Sequence, residues 1–168
     1  MNRPTPLKIE EPVRRLFELE RFPEDVAMLW CVPIAPQKMG LSWEVKETKA
    51  LDSHAVIDDW AKLDEFIDKL PNPENDPVFD LLIYLAEKFR KQNRYVLFSW
   101  WMLFFEFPWY LRGMTQLLLD FHLHEAEIHK LYDALCTTYE YYLQRAIRDL
   151  KPDGFWTSDD LGHQTQLF

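Results

Sequence analysis

The sequence predicts an α/β fold built on a parallel sheet, and three observations carry that expectation. Strand-like and helix-like segments alternate through the second half of the chain, the pattern of βαβ units. The helical segments each show a single apolar face, suited to covering one side of a sheet. Between two of them lies RYVLFSW (residues 94–100), a short apolar, β-branched and aromatic run with the length of a fully buried strand. Two architectures satisfy this pattern: a (β/α) barrel and an open doubly wound sheet.

The elements follow in order. Residues 1–12 carry three prolines and little apolar content, which predicts a flexible arm. Residues 13–22 are compatible with a short helix through Val13, Leu16 and Phe17. AMLWCVPIAP (residues 27–36) mixes apolar residues with two prolines and reads as an extended segment or loop. Residues 42–57 alternate in places, as one or two short strands would. From Asp58, the residues Trp60, Leu63, Phe66, Ile67 and Leu70 fall at helical spacing and end at Pro71. After a proline-rich connector, residues 77–92 form a second helix whose basic cluster, Lys88, Arg90 and Lys91, suits the negative end of its dipole. Residues 125–150 give the clearest helix, closed by Lys151-Pro152-Asp153-Gly154, and Phe155 to Ser158 form one more short strand.

Composition narrows the function. The chain has 168 residues, enough for one domain, and its 48% apolar and 15% aromatic content exclude disorder of the body. Nineteen basic against 28 acidic residues, a net charge of −9, argue against nucleic acid or an anionic membrane surface as partner. The two cysteines, Cys31 and Cys136, form neither a disulfide framework nor a thiolate zinc site, which fits a reducing compartment. No secretory signal occurs, and the most apolar stretch, Tyr95 to Leu111, is too short for a membrane span and contains Glu106 and Pro108. A cytoplasmic location is expected. Four scattered glycines exclude a phosphate-binding loop, and no Gly-x-Ser-x-Gly elbow exists.

In parallel α/β folds, reactive residues collect on loops leaving the C-terminal ends of strands. The exit after Ser99 carries Trp100, Trp101, Glu106, Trp109, Tyr110 and Arg112. The exit after Thr157 carries Asp159, Asp160, His163 and Gln164. If both strands share one parallel sheet, these groups converge on one tryptophan-lined mouth. Glu106, set in FFEFPW, is either desolvated with a raised pKa or paired with Arg112. Asp159 and Asp160 suit helix capping as well as chemistry. The tryptophans suit packing before ligand contact. His122 and His124 read as surface or capping positions and His129 as a polar position on the long helix, with no metal site among them.

Three stretches resemble the uroporphyrinogen decarboxylase superfamily: WAKLDEFIDKLPNP (residues 60–73), FEFPWYLRGMTQLLLDF (residues 105–121) and DGFWTSDDLGHQTQLF (residues 153–168). The last, with its Asp-Asp-x-Gly, is the most specific. The resemblance implies an incomplete (β/α)8 TIM barrel, with residues 13–168 as roughly its N-terminal to middle part. It implies Asp159, Asp160 and Glu106 as catalytic residues. Arg112, Trp101, Trp109, Gly162 and His163 would then contact a small-molecule substrate. The implied reactions are decarboxylation of tetrapyrrole side chains or methyl transfer from a cobamide to a thiol. The chain itself implies no cofactor. The second reaction would bring zinc and a cobamide through segments beyond it. A binding module without chemistry and a homo-oligomer are further expectations. The decarboxylases' Arg-Gln-Ala-Gly-Arg string does not occur here.

Overall fold

The computed structural model describes residues 25–39, 55–163 and 166–167. Three strands, β1 (Val26–Trp30), β2 (Tyr95–Trp101) and β3 (Gly154–Ser158), form a parallel sheet in the order β1-β2-β3. Among the described residues five α-helices accompany them: α1 (Leu63–Asp68), α2 (Val78–Lys91), α3 (Glu106–Arg112), α4 (Met114–Leu123) and α5 (Glu125–Arg145). The short strands β4 (Gly162–His163) and β5 (Gln166–Leu167) pair antiparallel as a separate hairpin.

The α/β class and the parallel pairing agree with the sequence. The barrel does not. Closure needs each edge strand to find a partner, and roughly eight tilted strands to complete the ring. Among the described residues β1 and β3 each pair only with β2, so the sheet is open. The incomplete (β/α)8 TIM barrel is therefore corrected to an open three-stranded α/β sheet. The expected arm at residues 1–12, the helix at 13–22 and most of the strands at 42–57 lie outside the described residues. Residues 55–57, the last of that range, are not in a strand.

Strand alternation decides which side of the sheet is covered. Ala27 and Leu29 of β1, with Val96, Phe98 and Trp100 of β2, are fully buried on one face. Helices α2 and α5 close over that face. Phe79 lies 6.0 Å from Phe98 and 5.8 Å from Tyr142, and Tyr139 stacks on Trp100 at 5.9 Å, all between ring centroids. The main core is thus an aromatic and aliphatic layer between sheet and helices, and a second, smaller cluster gathers Phe105, Leu117 and Ile128. The expected 58–70 helix divides into a 3-10 turn (Trp60–Lys62), capped by the Asp59 carboxylate on the Ala61 N–H at 2.9 Å, and then α1. The long helix runs as expected, finishing in a π turn (Ala146–Leu150) and a left-handed Lys151. Arg90, at the end of α2, donates to the carbonyls of Leu150 and Lys151, satisfying two orphan acceptors there.

One glycine is required by its backbone, and another sits in a tight space. Gly113 joins α3 to α4 at φ 82°, a conformation that side chains rarely adopt. At Gly154 an added Cβ would lie 2.8 Å from Leu97 Cδ2 and 2.9 Å from the Tyr95 hydroxyl.

Candidate active site

The parallel register places the two strand exits side by side. Trp101 pairs with Ser158, so the residues after each strand emerge at one edge of the sheet. There the Asp159 carboxylate accepts hydrogen bonds from the N–H groups of Phe104 (2.7 Å), Phe105 (2.8 Å) and Glu106 (2.9 Å). These are the donors that a helix start leaves unsatisfied, so Asp159 caps α3 from 53 residues away in sequence. The bond is reciprocal. The Glu106 carboxylate accepts from the Asp160 backbone N–H. The arrangement has the logic of a capping box, assembled from two distant segments.

Glu106 is half-buried. Burial raises its pKa first, and the nearby Asp159 and Asp160 carboxylates raise it further. A carboxyl held above its ordinary pKa beside an exposed aspartate is a proton-exchanging arrangement. Asp160 is exposed and free to meet a ligand; Asp159, with three bonds to backbone, is fixed.

Arg112 is not at this edge. It sits at the opposite end of α3, buried, donating from Nε to Asp120 Oδ2 at 2.7 Å and from its terminal nitrogen to the Ile57 carbonyl. Its guanidinium lies 4.2 Å from the Trp60 ring centre. The alternative Glu106–Arg112 ion pair is thereby replaced by an Arg112–Asp120 pair. Burial works to raise the pKa of Asp120, but hydrogen bonds from Arg112 and Gln116 outweigh it and hold the carboxyl below its usual range. His124 Nε2 stands 3.9 Å from the other Asp120 oxygen.

The tryptophans separate into different roles. Trp100 belongs to the core. Trp109 is half-buried near Phe105, its ring centre 6.3 Å away. Trp101 points to the sheet face opposite the helices and is 59% exposed. On that face the register aligns Trp30, Ser99 and Trp156 in one row. Trp30 packs edge-on against Trp101 at 4.8 Å and Trp156 at 5.4 Å, over a Ser99 hydroxyl that is buried without a partner. Gly162 and His163 lie in the β4–β5 hairpin, and the histidine side chain is outside the described residues.

A second polar cluster went unread in the sequence. Lys38, in the loop leaving β1, donates to the Val32 carbonyl and to Asp76. Asp76 is buried and also accepts from the Tyr142 hydroxyl (2.9 Å) and the Val78 N–H (3.1 Å). Its members are 38 and 66 residues apart, so spacing carried no signal. The Asn-Asp-Pro before α2 read only as a turn.

Among the described residues no three His, Cys, Asp or Glu side chains are grouped to hold a metal ion. No described helix is long and apolar enough to cross a membrane. Compared with family models, curated proteins and solved structures, the chain matches none.

Proposed function

We propose that the chain supplies the acid-bearing edge of a small-molecule cleft of the uroporphyrinogen decarboxylase type, acting on the carboxylate side chains of a tetrapyrrole. Glu106 is the proton-exchanging group and Asp160 the carboxylate that faces positive charge on a protonated pyrrole. As carbon dioxide leaves, the electrons of the broken bond pass into the protonated ring; a proton then adds to the side-chain carbon while the ring gives up the one it had taken on, restoring the pyrrole. The observation that supports this reading is the convergence of Glu106, Asp159 and Asp160 at the common edge of β2 and β3, with Glu106 raised in pKa. Asp159 contributes by positioning the start of α3.

The test is anaerobic incubation of the protein with a porphyrinogen, reading carbon dioxide release, alongside binding of the stable porphyrin by tryptophan quenching. Release that falls at least tenfold in Glu106→Gln and Asp160→Asn, with folding intact, supports the proposal. Absence of both release and binding overturns it. One observation favours a second reading, a binding module without chemistry: Arg112 and Asp159 are both engaged in structural bonds. Porphyrin binding with no release would decide for that module.

A further inference from the structure

We propose that the cavity beside the Lys38–Asp76–Tyr142 cluster is a binding site for a small oxyanion, a carboxylate or phosphate group carried by a metabolite. The cavity has a volume of about 350 Å³ and shares no residue with the Glu106 edge, so the proposal stands apart from the decarboxylase reading. Its size lies at the lower end of small-molecule pockets. Leu70, Pro71 and Pro77 form its apolar wall.

The argument rests on counting donors and acceptors among the described residues. An ammonium group has three N–H donors. Lys38 uses two, on the Val32 carbonyl and on Asp76, and its ammonium lies 5.2 Å from the centre of the Tyr142 ring, with no third oxygen acceptor among the described residues. Lys69 uses one, on Glu65 Oε1 at 2.6 Å, across an exposed pair on one helical turn. Asn72 spends its side-chain oxygen on the Glu74 N–H at 2.9 Å and leaves its amide donors unused. Asn75 adds a further unbonded amide to the lining.

The acceptor side is already occupied. Asp76, the only carboxylate in the lining among the described residues, is engaged by Lys38, Tyr142 and the Val78 N–H. Its burial beneath these donors keeps Lys38 fixed in place, because a lone buried carboxylate would be costly. Among the described residues that line the cavity, N–H donors outnumber free acceptors, and Lys38 and Lys69 are cations. A cation would be repelled by the two ammonium groups and find few free acceptors, and a neutral apolar molecule would leave the donors unpaired. An oxyanion matches them through charge-assisted hydrogen bonds. The surplus is local, since the chain as a whole carries a net charge of −9.

The experiment titrates the full chain with sodium phosphate and, separately, sodium citrate by calorimetry. Sodium chloride at matched ionic strength controls for screening. We expect saturable binding of at least one oxyanion, and whichever binds identifies the group recognised. Lys69→Gln removes a cation from an exposed pair without touching the core and should weaken binding roughly tenfold. Lys38→Gln should weaken it at least as much, and its fold is checked by circular dichroism. Glu106→Gln should bind like the parent. Absence of saturable binding above the chloride control, or unchanged binding in Lys69→Gln, overturns the proposal.

Discussion

Replacing Asp159 by alanine removes one carboxylate and leaves three backbone N–H groups, those of Phe104, Phe105 and Glu106, without their acceptor. Each such bond contributes about 0.5–1.5 kcal/mol net, and loss of a helix cap alone costs about 0.5–2 kcal/mol. The site is half-buried, so water recovers part of the loss. The expected cost is about 2 kcal/mol. For a chain of this length that lowers Tm by roughly 4–8 °C. Urea unfolding followed by far-ultraviolet circular dichroism should show a lower midpoint with an unchanged slope. Asp159→Asn, which keeps one acceptor oxygen, should lose about half as much, and Asp160→Asn, at an exposed position, almost nothing. Equal effects at positions 159 and 160, or a change below about 0.5 kcal/mol for Asp159→Ala, would refute the assignment of Asp159 as a cap.

Further outcomes follow from other contacts. Arg112→Met strands the buried Asp120 and should cost about 3–5 kcal/mol, much of it restored by adding Asp120→Leu; urea midpoints of the single and double variants check this. The folded-state pKa of Glu106 is raised, so between the unfolded and folded values the folded chain binds more protons than the unfolded chain. Its contribution is complete below the ordinary glutamate pKa and is lost as pH rises through the folded value. Glu106→Gln should therefore gain stability relative to the parent at neutral pH and lose that advantage in acid, a difference read from melts across a pH series. Burial pushes the Cys31 thiol up to about 12, while Cys136 is exposed. A thiol reagent at neutral pH should label Cys136 in the native state and reach Cys31 only after unfolding, as mass spectrometry of the labelled peptides will show. Gly154→Ala brings a Cβ against the ends of the Leu97 and Tyr95 side chains, which can move aside, and should destabilise by no more than about 1 kcal/mol on the same urea scale.

Much of the fold was legible because its signals were local. The wide apolar faces of α2 and α5 and the continuous run of β2 declared themselves by period and length. β1 was recognised only as extended, because Pro33 and Pro36 close behind it looked like a loop. α3 was passed over as an exit loop for a similar reason. Pro108 stands in its first turn, where a missing N–H costs nothing, yet in the sequence it reads as a breaker. The barrel came from resemblance, and local pattern has no means of reporting whether edge strands are paired.

The site was half legible. Parallel order placed the tips of β2 and β3 together, and the structure agrees. Partner choice was not readable. Arg112 turned to Asp120 because Gly113 folds α4 back beside it, whereas Glu106 lies two turns away at the other end of α3. Asp159 found backbone donors 53 to 55 residues away, and the cluster of Lys38, Asp76 and Tyr142 joins three separate segments. Such pairings are set by how helices dock on the sheet, which no spacing rule encodes.

The row of indoles across the sheet also has an optical consequence. Trp30 lies within 5.4 Å of both Trp101 and Trp156, close enough for their electronic transitions to mix. The folded protein should therefore show an exciton couplet that neither isolated tryptophan nor the unfolded chain can produce. Its amplitude would report directly on the alignment of all three strands, since each ring is carried by a different one.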